Sequence, residues 1–436
     1  MPEASVIVIV YTTLYRKGGE QFPVVSKTLT DEKRSDGFAG EIICRPVESK
    51  RDVLQIFDEV RSSERTIAEF HFVGHSGMYG PMFGTVKFPE QFSPYEWETM
   101  EIPFAENASA YFHCCRSARW FAPYFARTFN VKTFGFFWYT TFSRSKVQFA
   151  AAGGSIEPPL FTIGCKGRKS HGYLASVQKR LGMMPAEEMK VFEPLLPDGD
   201  TSYDRVAELY DAAFVDIRVR KDEWKWLNEH LPEGPIDVLD IGCGNGALLN
   251  ALSDRIVTGN GVDESAGIIE RAKIKNVDKA NLLFQKISGP VLPFEDRKFD
   301  IVISLMSFRY LDWDPLLAEI KRVTKPGGKF LIIDMVTAPV KMSEYPQLLK
   351  DKVRTARDQR SNASFNAALK TLVSHPDWKK MLEYNPIRSE HEMKWYLESR
   401  FPGQKMEVLN MAWNARIVAF ESGPVEKGIE AKLTYP

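Results

Sequence analysis

Val238–Leu252 reads "VLDIGCGNGALLNAL". A buried-type strand ends at Asp240, glycines stand at 242, 244 and 246, and a helix is predicted from Ala247. Glycines at these positions let the backbone bend sharply and approach a ligand where a Cβ would otherwise stand, beside a helix start. A bare strand–helix turn is the weaker reading of such a run.

The glycines alone leave the ligand open. Gly242-x-Gly244-x-x-Ala247 also satisfies the dinucleotide pattern G-x-G-x-x-G/A, and Asp263 ends the next predicted strand as a ribose-binding acid would. The order of the motifs downstream separates the alternatives. "VLPFEDRKFDIVIS" (291–304) is followed by "LAEIKRVTKPGGKFLIIDM" (317–335). In the second, Leu317, Ile320 and Val323 share one helical face, Lys325-Pro326-Gly327-Gly328 reads as a helix stop, and a strand follows.

Those residues resemble the class I S-adenosylmethionine (SAM)-dependent methyltransferases, particularly the small-molecule group. The resemblance is dense over 200–336 and thinner to 420. It implies a Rossmann-like domain with SAM as cofactor and a small-molecule methyl acceptor. It further implies that Asp240, Gly242, Gly244 and Gly246 hold the methionine moiety and that Asp263 holds the ribose hydroxyls. Ser288 stands where the family often has an acid near the adenine amine, and Ser304-Leu305 would run along the cofactor. A hydroxyl still accepts a hydrogen bond at that place.

Methyl transfer from a sulfonium is mainly in-line positioning, plus removal of a proton when the acceptor is a hydroxyl or amine. Tyr203, Tyr310, His375 and His391 are base candidates by location alone, each with an ordinary packing or surface role as its competing reading. The stretch 338–404 is polar and helical in pattern, and insertions of that length usually form lids or recognition surfaces. Its "DKVRTARDQR" (351–360) is either an anion-binding run or a solvated helix face.

The predicted strands of this half are Ile236–Ile241, Ile256–Val262, Asn281–Ile287, Asp300–Ser304 and Lys329–Val336, with Lys405–Met411 and Ala415–Phe420 as a closing hairpin. A helical stretch over about 202–230 precedes them. Upstream, "EPLLPDGDTSYD" (193–204) clusters Pro, Gly and Asp and reads as a seam. The domains are accordingly 1–192 and 193–436.

The first half alternates strands and helices, which implies a largely parallel sheet covered by helices. Ser5–Leu14, Glu41–Val47, Ile67–Val73, Ala108–His113 and Val131–Tyr139 are its predicted strands. Ser49 caps a helix with Val53, Ile56, Phe57 and Val60 on one face. "HFVGHSGMYG" (71–80) nearly reads as a hydrolase elbow, but Met78 replaces the final glycine of G-x-S-x-G, which counts against Ser76 as nucleophile. The next predicted strand ends "AYFHCCRSARW", with Cys114 and Cys115 at its tip. A histidine turn at Gly74-His75-Ser76-Gly77 followed by His113-Cys114-Cys115-Arg116-Ser117 resembles the caspase-like cysteine peptidases over about 5–145. That resemblance implies a caspase-like α/β sandwich and a possible His75/Cys115 peptidase or amidase dyad. The competing readings are a buried structural cysteine, and a docking or assisting domain for the methyltransferase.

Composition limits the remaining choices. The chain has 436 residues, 44% hydrophobic and 26% charged, with 57 Lys plus Arg against 57 Asp plus Glu. A length of this order exceeds one ordinary core, and a neutral balance weakens a nucleic-acid role. No apolar run approaches the roughly 20 residues that span a bilayer. The five cysteines fit no zinc spacing, so reduced thiols in a cytoplasmic protein without a metal are the expectation. No membrane partner is expected, and a homodimer is one assembly left open.

Overall fold

Val6–Val10 forms the middle of strand β1 (Ser5–Thr12), and its five residues are each at most 1% exposed. Burial on both faces is what a continuous β-branched run supports at the centre of a parallel sheet. The computed structural model describes residues 5–13, 19–77, 79–83, 90–151, 156–165, 173–194, 202–338, 340–384 and 387–429. The chain divides into two compact units, Met1–Asp198 and Gly199–Leu433.

In the first unit, β1 is joined by β2 (Ile42–Val47), β3 (Thr66–Val73), β4 (Phe104–His113) and β5 (Lys132–Gly135), all parallel. A second, antiparallel sheet contains β6 (Tyr139–Ser143), β7 (Phe161–Cys165) and β8 (Ala186–Glu187) in sequence order. Strand β9 (Lys190–Phe192) returns to the first sheet antiparallel to β5, giving the order β9-β5-β4-β3-β1-β2. The predicted strand Val131–Tyr139 is therefore two strands in two sheets, interrupted at Phe136–Trp138. Apolar content places such a run inside the unit, but it does not say which sheet each half joins.

Helices α1 (Phe22–Ser35), α2 (Lys50–Ser62) and α3 (Phe121–Phe129) cover the first sheet. The Ser49 cap exists and is reciprocated by Asp52. Residues 70 and 72 of β3 alternate with Glu69 and His71, so one sheet face is aromatic and the other polar. On the aromatic face Phe70, Phe72 and Phe112 belong to one buried cluster with Trp97, which is 1% exposed and packs against Phe92, Phe121, Phe125 and Phe129. Each such burial contributes about 2–3 kcal/mol.

The second unit is a seven-stranded sheet. Its strands are β10 (Asp237–Ile241), β11 (Thr258–Asp263), β12 (Leu282–Lys286), β13 (Phe299–Leu305), β14 (Thr324–Thr337), β15 (Glu407–Met411) and β16 (Ala415–Pro424). Their order is β12-β11-β10-β13-β14-β16-β15, with only β16 antiparallel to β14 and to β15. The Lys325–Gly328 stop lies inside β14, where Gly327 takes a φ of +82° and the register shifts. The helical stretch predicted near 202–230 is broken. It contains α4 (Ala207–Ala213) and α5 (Lys221–His230), with a 3-10 turn Ile217–Val219 between them. Helices α6 (Ala247–Leu252), α7 (Ala266–Lys275) and α8 (Trp313–Val323) follow their strands.

Between β14 and β15 stand α9 (Tyr345–Ser361), α10 (Ala363–Ser374), α11 (Pro376–Tyr384) and α12 (Glu390–Arg400). Val206, Ala213 and Phe214 pack against Leu372, Phe365 and Trp378, so this insertion closes over α4. Within the charged run, Asp351 is 1% exposed and accepts the Met411 amide at 3.1 Å. Arg354 is committed to Asp222 and Asp351 at 3.0 and 2.9 Å. That part of "DKVRTARDQR" therefore fastens the insertion to the unit.

One buried ion pair in the first unit is open to test. Lys50 Nζ lies 2.7 Å from Glu96 Oε1 with the two side chains 1% and 6% exposed. Lys50→Ala leaves that carboxylate unpaired in the interior, and the expected loss is about 3–5 kcal/mol. Hydrogen–deuterium exchange of the β1–β4 amides reads this local loss. A Lys50→Met/Glu96→Gln double variant is expected to recover much of it.

Candidate functional site

The four residues Val238–Ile241 of β10 are buried, and the chain then turns through Gly242, Gly244 and Gly246 at φ +72°, +54° and +75°. Non-glycine residues enter this left-handed region only at a cost. Space forbids a side chain as well. A Cβ at Gly242 would collide with the Ser307 side chain, one at Gly244 would lie 2.8 Å from Tyr210 Oη, and one at Gly246 would lie 2.6 Å from the Phe284 ring. Amides of Gly242 and Cys243 donate to the Val262 carbonyl at 2.8 and 3.0 Å, locking the turn to β11.

Two carboxylates sit at this turn. Asp263, at the end of β11, accepts the Gly244 and Ser265 amides at 3.0 Å each. Its carboxyl is raised by burial, with those amides acting in the opposite direction. Asp240 is 2% exposed, and its Oδ1 is buried with no hydrogen-bond donor. Burial first, and then the charge of Asp263, push it up to about 8. An ionised carboxylate in such a place is complemented by a cation brought from outside. SAM carries positive charge on its sulfonium and on its amino group, so an orphaned buried carboxylate beside a side-chain-free turn fits it.

The other sequence-predicted residues fall at different distances from this centre. Ser304, at the end of β13, is fully buried and shares a 2.7 Å hydrogen bond with Ser307, whose hydroxyl donates to the Ile241 carbonyl at 2.7 Å. Ser288 is exposed in the loop after β12. Tyr310 follows β13; its hydroxyl accepts from Arg309 Nη2 at 2.7 Å, and burial raises its pKa while Arg309 lowers it. Arg309 is itself clamped by Asp334 through both its guanidinium and its backbone amide. His375 caps the start of α11, its Nδ1 accepting from the Asp377 amide at 3.3 Å, and His391 is exposed on α12. The side chain of Tyr203 lies outside the described residues, as do Met78 and much of the seam at 193–204.

Sequence reasoning missed Tyr210, Asn245 and Ser307. Asn245 donates from Nδ2 to Asp211 at 2.8 Å and to the Phe214 carbonyl at 2.9 Å, tying the glycine turn to the end of α4. That tie holds the α4 helix, and with it Tyr210, over Gly244. Only the buried polar residue between two glycines signalled it.

In the first unit, β3 and β4 are adjacent, with Val73 opposite His113, so the His75 and Cys115 strand ends are neighbours. The Ser76 hydroxyl donates to the Cys115 carbonyl. The Cys115 thiol, however, is 3.2 Å from Thr140 Oγ1 and accepts the Thr140 amide at 3.3 Å. His75 packs edge-on against Phe22, ring centroids 5.2 Å apart. The Cys115 sulfur is thus engaged by Thr140 of β6, because the split of the 131–139 run brings that strand across the cysteine. All five cysteines are free thiols.

Residues 239–332 match the family model described as a methyltransferase domain. Over 134 residues the chain is 31% identical to the sterol 4-C-methyltransferase strm-1 of Caenorhabditis elegans, a match covering 28% of this chain and 36% of that protein. It is 31% identical over 151 residues to a demethylmenaquinone methyltransferase of Listeria welshimeri, covering 33% of this chain and 61% of that one. The chain thus spans between about a third and three-fifths of the length of these curated relatives. Among solved structures, a SAM dependent methyltransferase from Aquifex aeolicus is 19% identical, with 49% of this chain and 98% of that chain covered at a TM-score of 0.33. The second unit therefore carries a Rossmann-like methyltransferase domain. The cofactor of that domain is S-adenosylmethionine. No described helix is long and apolar enough to cross a membrane.

In cofactor-free protein, the Asp240 carboxyl is expected to titrate near pH 8, read from its side-chain carbonyl resonance. A folded acid that holds its proton above the unfolded value of 3.8 opposes folding once ionised. Stability of the second unit should therefore fall as pH rises from about 4 to about 8, and Asp240→Asn should remove that part of the slope. An Asp240 resonance titrating in the ordinary range of about 4 contradicts this assignment.

Proposed function

We propose that the protein is a SAM-dependent methyltransferase acting on a small-molecule acceptor, with Asp240, Gly242, Gly244, Gly246, Asp263 and Ser304 forming the cofactor site. The observation that carries this reading is Asp240: a buried carboxylate with no donor to Oδ1, beside a turn in which three glycines leave no room for side chains. When bound, SAM supplies a methyl group already activated on a sulfonium. The protein's part is then to bind, orient and exclude water. Asp240 offers the negative charge, Asp263 offers carboxylate oxygens at the end of β11, and the bare backbone between them permits close approach. Ser288 is exposed and one turn of loop from β12, a place from which its hydroxyl can still serve the base.

The acceptor side is assigned to α4 and the insertion. Tyr210 overhangs Gly244, and α10 and α11 pack on the same helix. The two relatives are named for a sterol and for demethylmenaquinone, which supports an organic, ring-bearing acceptor. Tyr310 is not favoured as the base, because burial holds its phenol protonated.

The first unit is read as a caspase-like α/β sandwich that assists binding or assembly. Its support is the parallel sheet with His75 and Cys115 at adjacent strand ends. Engagement of the thiol by Thr140 weighs against a peptidase.

Labelled SAM incubated with the protein and cell extract should label a small organic product. Gly244→Val, which forces a branched side chain to φ +54° against Tyr210, should weaken SAM binding on the order of 100-fold by calorimetry. Unchanged SAM affinity in that variant would sink the cofactor-site assignment. Cys115→Ala should leave methyl transfer unchanged.

A further inference from the structure

The polar face of the first unit's sheet holds a chain of side chains that methyl transfer does not employ. Lys33 of α1 meets Glu69 of β3 at 2.7 Å. Glu69 Oε2 lies 2.9 Å from His71 Nε2, and His71 Nδ1 lies 3.1 Å from His113 Nε2 on β4. The direction of these bonds follows from chemistry. Burial raises the Glu69 carboxyl, but the bonds from His71 and Lys33 bring it down to about 2, so it can only accept. His71 therefore carries its proton on Nε2. Burial keeps His71 neutral, so its Nδ1 presents a lone pair and accepts from His113 Nε2–H. Burial keeps His113 neutral as well. Its Nδ1 is left with a lone pair and bonds no protein atom among the described residues.

His113 lines a cavity of about 210 Å³. Most of the wall is apolar, including Val25 and Leu29 of α1 and Phe136, Leu160 and Ile163. Of its four charged side chains, Glu188 is exposed, and Glu32 and Lys146 neutralise each other at 2.6 Å. Glu187 does not: its Oε2 is buried with no donor, and Lys190 stands 4.0 Å from its other oxygen. The Thr162 hydroxyl is buried without a partner too, and a hydroxyl can donate or accept. The uncommitted groups are thus an imidazole lone pair, a carboxylate oxygen and an adaptable hydroxyl. No three His, Cys, Asp or Glu side chains are placed to hold a metal ion among the described residues. The complement to these groups is an organic cation with several N–H donors on an apolar body.

We propose that this cavity binds a small apolar amine in its ammonium form, with His113 Nδ1 and Glu187 as the acceptors and Glu69 and His71 as positioning residues that fix the His113 tautomer. Carboxylates and phosphates meet Glu187 and are rejected.

Calorimetry on the full chain tests this with three probes of similar shape: 2-phenylethylamine, 2-phenylethanol and 3-phenylpropionate. The amine is expected to bind at least about tenfold more tightly than the alcohol, and the carboxylate not to bind. Glu187→Gln should cost the amine at least about tenfold, with SAM affinity unchanged. In ¹⁵N-histidine spectra the amine should shift the His113 Nδ1 resonance, and Glu69→Gln should move the His113 tautomer signature before any ligand is added. His113→Leu provides a second variant should Glu187→Gln fold poorly. Failure of all three probes to bind, equal binding of the carboxylate, or full amine affinity in Glu187→Gln and His113→Leu overturns the proposal. Loss of SAM binding alone leaves it standing, since the cavity shares no residue with the glycine turn.

Discussion

The backbone between Ile241 and Ala247 passes within side-chain distance of Ser307, Tyr210 and Phe284, and it does so at three left-handed glycines. Much else in the second unit depends on that close approach. Tyr210 can lie over Gly244 because no Cβ intervenes, and Asp263 accepts the amide of that same glycine. Asn245, forced inward between two glycines, ties the turn to α4. The insertion then packs on α4 through Phe365, Leu372 and Trp378. Conformational permissiveness at three positions thus fixes the placement of elements more than a hundred residues away.

The same turn explains the electrostatics. Asp240 lies at the end of a strand buried on both faces, with Asp263 as its charged neighbour. Such a carboxyl is unfavourable to folding when ionised, and a protein optimised for stability alone has no use for it there. Its cost is intelligible as preorganisation for a cationic cofactor. Around Arg309 the logic is reversed, since Asp334 pairs with the buried guanidinium and accepts the Arg309 amide, and the pair holds the segment after β13. One buried acid is left open and another is closed. The difference marks which is available to a ligand.

Legibility in the sequence followed the range of the interactions. Val6–Val10, the Ser49 cap and the helix face at Leu317, Ile320 and Val323 were readable because periodicity and capping act within a few residues. The glycine turn and Asp263 were readable for the same reason. The 131–139 run was not, since its aromatic residues report burial and remain silent about the break that sends Tyr139–Ser143 to another sheet. That break brought Thr140 against the Cys115 sulfur. Tyr210 carried no local signal, because its place over Gly244 comes from packing of α4.

The sequence by itself determined two α/β units, the methyltransferase character of the second, and the acids and glycines of its turn. Those features are encoded in local spacing. Tertiary structure alone decided that Asp240 lacks a donor, that Tyr210 covers Gly244, and that Glu69, His71 and His113 join in one line beside a cavity. Only the parallel register of β3 and β4, with Val73 opposite His113, brought the two imidazoles within 3.1 Å. Register is a property of paired strands, and neither strand carries it alone.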